Sequence, residues 1–175
     1  NVVFVLLDDT GFAQLGCYGS DIDTPNIDAL SADGVQFTNF HVTPVCSPTR
    51  AALLTGRSQH AVGMRGLAGW ETGFPHAAGH LSNAAATVAE VLRDEGYATL
   101  CAGKWHLNPG TAVSAAGPFD QWPLGRGFER FYGFLPGETD QFNPELVRDN
   151  SYIDPPATAE EGYHLSEDLV DQLLL

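Results

Sequence analysis

Residues 1–7 (NVVFVLL) are an unbroken apolar run, rich in β-branched side chains, that stops at Asp8-Asp9. Such a run, with no polar alternation, predicts a strand covered on both faces, as in a sheet with helices on either side. The signals behind it fit that frame. Thr24-Pro25 sets a cap before proline at the first helical position, so a helix is expected toward Asp33-Gly34. Residues 35–42 alternate like a strand. Ser47-Pro48 opens a short helix over 49–54, closed near Gly56. Thr87-x-x-Glu90 is a capping box, with Val88, Val91 and Leu92 as the buried stripe and Gly96 as the stop. Residues 97–102 predict a short strand. Strands alternating with helices define a layered α/β chain.

Residues 108–156 are rich in Gly, Pro and aromatics without periodicity, which predicts loop and irregular surface. Ser166 can cap a helix that carries Leu169, Val170, Leu173 and Leu174 on one face. The sequence reaches Leu175 with no C-cap glycine, and a buried strand is expected from its first residue. On both counts residues 1–175 are expected to be the N-terminal portion of a larger domain.

Asp and Glu number 22 against 8 Lys and Arg, a net charge of −14. That balance disfavours nucleic-acid phosphates and anionic membranes as partners. No apolar run approaches the roughly 18–20 residues of a membrane-spanning helix, so a soluble chain without a span is expected. Cys17, Cys46 and Cys101 form neither a C-x-x-C pattern nor a disulfide framework, and Cys17 and Cys101 are expected to be unpaired and structural. The compartment stays open between the cytoplasm and the periplasm or secretion.

Three places carry candidate chemistry. Asp8-Asp9 falls at an expected strand end, where ligands gather in α/β sheets. The paired carboxylates either share a hard divalent cation or cap a turn. Cys46-Ser47-Pro48-Thr49-Arg50 lies at a helix mouth. Its thiol is either activated by the free N–H groups, with Arg50 one turn on beside an anion, or half-buried and structural. Gly103-Lys104-Trp105-His106 follows a strand, and Lys104 is the only lysine in the chain. Lys104 and His106 offer a point charge for an oxyanion and a proton-transfer imidazole, or else a solvated loop lysine and a packed histidine. His41, His60, His76, His80 and His164 are weaker candidates, with His60 nearest in sequence to the Cys46 helix.

Together these segments resemble the type I sulfatases. Cys46-Ser47-Pro48-Thr49-Arg50 running into Gly56-Arg57 matches the C-x-P-x-R signature. Gly96-Tyr97-Ala98-Thr99 leading into Gly103-Lys104-Trp105-His106-Leu107 matches the second signature. Asp8-Asp9 before Gly11, and residues 24–30 (TPNIDAL), match the family's opening. Gly125-Arg126-Gly127-Phe128, Tyr132-Gly133-Phe134 and Gly162-Tyr163-His164 are similar to bacterial arylsulfatases.

The resemblance implies an alkaline phosphatase-like fold, a large mixed sheet between helical layers, present here in its N-terminal part. It implies hydrolysis of a small-molecule sulfate ester. Cys46 would be converted by a formylglycine-generating maturation enzyme, and the hydrated gem-diol would attack sulfur. Asp8, Asp9 and the modified Cys46 would be ligands of Ca²⁺, with Mg²⁺ as the alternative. Arg50 would hold the diol, Lys104 would bind sulfate and diol oxygens, and His106 would take the proton when sulfate is expelled. The remaining metal ligands and the leaving-group acid of the family are not identifiable in these residues. Two other functions follow from the same residues: a phosphonate or phosphate monoester hydrolase of the same superfamily, and an inactive fragment with half a site.

Overall fold

The computed structural model describes residues 1–174. They divide into two units, Asn1–Val42 and Thr43–Leu175, each described by itself.

The first unit contains one α-helix, α1 (Pro25–Asp33), preceded by two short 3₁₀ turns. Pro25 opens α1 as expected, but Thr24 does not cap it with its side chain. Its hydroxyl accepts the Gly16 N–H at 2.8 Å and donates to Asp28 Oδ1 at 2.9 Å. Asp28 Oδ1 also accepts the Cys17 N–H at 2.7 Å, so this carboxylate organises the Gly16-Cys17 turn. The expected strands at residues 1–7 and 35–42 are not formed among the described residues. Both segments are exposed, Val3 by 82 % and Val35 by 81 %. A strand exists through its ladder, and the described residues give neither segment a paired strand.

The second unit holds α2 (Cys46–Thr55), α3 (Val88–Asp94), β1 (Leu100–Lys104), β2 (Arg130–Phe134), β3 (Leu146–Arg148), β4 (Ser151–Ile153) and α4 (Leu165–Leu174). The sheet runs β1-β2-β3-β4. β1 and β2 pair in parallel, with Leu100 opposite Arg130 and Lys104 opposite Phe134. The other two pairs are antiparallel. The sheet is therefore mixed and α/β, as expected. Residues 108–156 depart from the expected irregular loop, because they supply three of its four strands. Their periodicity is hidden for a physical reason. β2 is buried at four consecutive positions, so it shows no alternation, and β3 and β4 are only three residues long.

The strand expected at 97–102 begins at Leu100 instead. Tyr97 is held back by its N–H to the Leu92 carbonyl at 3.0 Å, which closes α3. The capping box of α3 is formed: Thr87 Oγ1 accepts the Glu90 N–H at 3.1 Å, and Glu90 Oε2 accepts the Thr87 N–H at 2.5 Å. Its expected apolar stripe is not the buried face. Val88 and Val91 are exposed, and Ala89 is the buried residue of the helix. The close neighbour on that side is the Gly127 backbone, where an added Cβ would lie 2.4 Å from the Glu90 nitrogen. Small side chains suit so tight an approach.

α4 begins one residue before the expected cap and packs on β1 and β2. Leu165, Asp168 and Leu169 face the sheet, while Val170, Leu173 and Leu174 are exposed. The expected missing C-cap at Leu175 lies outside the described residues. The main core gathers Val62, Met64, Leu81, Trp105, Leu107, Trp122, Phe131, Leu135 and Val147. Trp105 and Trp122 lie at its centre, each essentially buried.

Candidate active site

α2 starts at Cys46 itself, three residues earlier than the pattern predicts, with Val45 as an extended N-cap. Pro48 fits there because N–H groups in the first turn have no partner within the helix. The approach is fixed by threonines: Thr49 Oγ1 donates to the Thr43 carbonyl at 2.9 Å and lies 2.7 Å from Thr43 Oγ1. Ser47 is fully buried, and its Oγ accepts the Ala68 N–H at 3.1 Å, which ties the following loop to the same turn. Gly56 ends the helix in the left-handed region, with φ of 64°.

The second signature continues β1 past its last residue. Trp105 N–H donates to the Phe134 carbonyl at 2.9 Å and His106 N–H to the Leu135 carbonyl at 3.0 Å. Trp105 turns into the core, where its indole N–H donates to the Gln121 carbonyl at 2.9 Å. His106 then takes φ of 53°, a left-handed conformation uncommon outside glycine. The turn brings its ring to α2, with Nδ1 3.2 Å from Cys46 Sγ. Arg50, one turn along α2, donates from its guanidinium to the Lys104 carbonyl at 2.6 Å. Cys46, Arg50, Lys104 and His106 thus lie together, each half-buried.

Cys101 lies on β1 within range of the same guanidinium. Burial pushes its thiol up to about 12, and Arg50 pulls in the other direction. All three cysteines are free, as expected.

Asp8 and Asp9 lie in the first unit, both exposed, and Asp9 has φ of 51°. The Asp8 carbonyl accepts the Thr10 hydroxyl at 3.3 Å. Among the described residues, neither unit gathers three metal-ligating side chains.

The other histidines have local partners or lie on the surface. His80 Nδ1 donates to the Ala78 carbonyl at 2.8 Å and sits 3.7 Å from the Glu71 carboxylate. His41 contacts Asn39, His164 accepts the Ser166 N–H, and His60 is exposed. Arg126, in the Gly125-Arg126-Gly127-Phe128 motif, is a buried hub. It donates to the Ala85 carbonyl at 2.6 Å and to Asn83 Oδ1 at 3.2 Å, and lies 3.7 Å from Glu90. The sequence marks Ser47 only as a helix opener and does not mark Gly137, where an added Cβ would lie 2.8 Å from His106 Cε1, because a buried hydroxyl's tie to a loop and a glycine beside an imidazole leave no mark on periodicity.

The Sulfatase family model matches residues 1–174. The chain is 42 % identical over 165 residues to arylsulfatase A of Homo sapiens, covering 93 % of this chain and 29 % of that protein. It is 35 % identical over 149 residues to the arylsulfatase of Klebsiella aerogenes, covering 83 % of this chain and 30 % of that protein. Among solved structures, that of Ps i-CgsB matches with a TM-score of 0.74 at 28 % identity, over 95 % of this chain and 39 % of the other. Fold and comparisons together define a mixed α/β chain of the expected alkaline phosphatase-like class. The chain belongs to the sulfatase family. It spans under a third of the length of these two curated relatives. No helix among the described residues is long and apolar enough to cross a membrane.

Proposed function

We propose that the full-length protein hydrolyses sulfate esters, with Cys46 as the precursor of a formylglycine nucleophile. Residues 1–175 would be the N-terminal portion of its catalytic domain, a reading supported by their match to 29 % of human arylsulfatase A. The observation that carries the proposal is the meeting of the two signatures: Cys46 Sγ lies 3.2 Å from His106 Nδ1 across 60 residues of sequence.

An oxygen in place of Sγ would sit within reach of the same nitrogen. His106 can therefore accept a proton from residue 46 at Nδ1. Lys104 supplies a compact positive charge for the sulfate oxygens, in a chain whose net charge of −14 repels anions at long range. Arg50 adds a second cation and holds the Lys104 backbone in place. Formylglycine supplies the hydrated diol nucleophile that a thiol cannot replace.

Asp8 and Asp9 offer adjacent carboxylates with oxygen donors only, a set that fits a hard divalent cation such as Ca²⁺ or Mg²⁺. Such an ion would supply Lewis-acid stabilisation of the sulfate charge. A small-molecule sulfate ester and a maturation enzyme acting on Cys46 are the partners this reading requires.

The test uses the full-length protein made with and without a maturation enzyme. Conversion of the thiol to an aldehyde lowers the intact mass by roughly 18 Da. Sulfate and phosphonate esters of the same phenol are then compared. Turnover of the sulfate ester by the converted protein alone is expected. Wild-type turnover by Cys46→Ala would sink the proposal, and a faster phosphonate ester would move it to a neighbouring hydrolase class.

A further inference from the structure

The ring of His106 has a second neighbour. A Cβ built on Gly137 would lie 2.8 Å from its Cε1, 3.0 Å from Nε2 and 3.3 Å from Nδ1. Ordinary carbon contacts lie at roughly 3.5–4.0 Å, so any side chain there would press on the whole imidazole. Backbone freedom is not what this glycine provides, because its φ is outside the left-handed region. What it provides is space.

Any displacement falls on the ring, because the backbone of His106 has little freedom to yield. Its N–H is bonded to the carbonyl of the buried Leu135, and its backbone is already left-handed. A ring displaced by a side chain at Gly137 leaves the position that gives Nδ1 its 3.2 Å approach to Cys46. We infer that Gly137 is a positioning residue: its missing side chain lets the His106 ring reach residue 46, and it acts on the expulsion of sulfate through that ring. In that step the proton of the remaining hydroxyl passes to His106, the electron pair it leaves on oxygen forms the C=O of the aldehyde, and the C–O bond to sulfate breaks with its electrons leaving on sulfate. The inference rests on the role proposed for His106, and the measurements separate the two.

The first measurement needs no turnover. In unconverted full-length protein with labelled histidine, Cys46→Ala should shift the His106 ring signals. The same substitution should shift them little in a Gly137→Ala background. Equal shifts in both backgrounds would overturn the positioning role.

The second measurement uses converted enzyme. Gly137→Ala should lower kcat about 100-fold, the scale of an ångström-sized misplacement, with KM falling alongside and kcat/KM retained. Sulfated residue 46 should accumulate and be seen by mass spectrometry. Adding Gly137→Ala to His106→Ala should cost nothing further, since both act on one ring. Loss of kcat/KM in the single variant, or a further loss in the double variant, would overturn the inference. If His106→Ala itself accumulates no adduct, the role of His106 falls, and the ring signals alone decide whether Gly137 positions it. Should Gly137→Ala fail to fold, the double variant frees the space. Its folding would support the crowding, and its failure would overturn it.

Discussion

The guanidinium of Arg50 donates to the backbone carbonyl of Lys104 at 2.6 Å, joining residues 54 apart in sequence. A side chain from the first signature thus grips the main chain of the second. The acceptor is a peptide oxygen, so the join is made to the Lys104 main chain and not to its side chain.

That bond gives the first prediction. Hydrogen bonds to charged groups contribute about 1.5–3 kcal/mol, and Arg50→Ala removes one while loosening the contact between α2 and β1. Its urea midpoint should fall accordingly. Arg50→Lys keeps the charge without the planar fork and should recover only part of the loss. An unchanged midpoint in Arg50→Ala would show that the packing of α2 alone fixes the join.

Lys104 should behave differently, because its charge and not its backbone is at stake. Lys104→Ala should cost roughly 2–4 kcal/mol in kcat/KM, the range for one lost oxyanion donor. Lys104→Arg should not rescue it, since the guanidinium is larger and aims differently. Wild-type kcat/KM on a sulfate ester for Lys104→Ala would remove the residue from the chemistry.

The capping box at Thr87 and Glu90, the proline start of α1 and the αL stop at Gly56 were legible because each is a local hydrogen-bond or dihedral demand. So were the four residues that meet in the second unit, since their spacing is carried by two signatures. The strands beyond residue 108 were not. β2 is buried at four consecutive positions, and β3 and β4 pair over three residues each. Residues 1–7 mislead in the opposite sense. Their composition suits a buried strand, but a ladder is a property of two segments and cannot be read from one. The contact of Gly137 with His106 depends on β2 ending beside β1, a register no local pattern encodes.

Cys101 offers a check on the core beneath the site. Burial pushes its thiol up to about 12, so at pH 8 very little thiolate is present in the folded protein. Native protein should be alkylated at Cys101 far more slowly than urea-unfolded protein, without prior reduction in either case. The rate is read from the mass of the peptide containing residue 101. Equal rates in the two states would place the thiol in solvent, and a peptide disulfide-linked to Cys17 would contradict the free cysteines.

The last prediction concerns α4 and its seat on the sheet. Asp168 is buried, and its Oδ2 accepts the Tyr132 hydroxyl at 2.6 Å and the Tyr163 hydroxyl at 2.9 Å. Arg148 lies 5.2 Å from the centre of the Tyr132 ring. Burial first, and then the hydrogen bond to Asp168 and its charge, raise both phenols above their ordinary value of 10.0. A raised value means that the folded state holds the neutral phenol more firmly than the unfolded chain does. The stabilisation is therefore fully present below pH 10 and is lost as pH rises past 10 toward the folded-state values. Urea midpoints should hold steady on the neutral side and fall beyond it. Tyr132→Phe with Tyr163→Phe should flatten that alkaline fall, at a cost near neutrality of about 1.5–3 kcal/mol for each hydrogen bond lost from the Asp168 carboxylate. Asp168→Asn keeps an acceptor but removes the charge, so its alkaline fall should be shallower than wild type and steeper than that of the double variant. An identical fall in all three would assign the alkaline instability to other groups and leave the two phenols as packing alone.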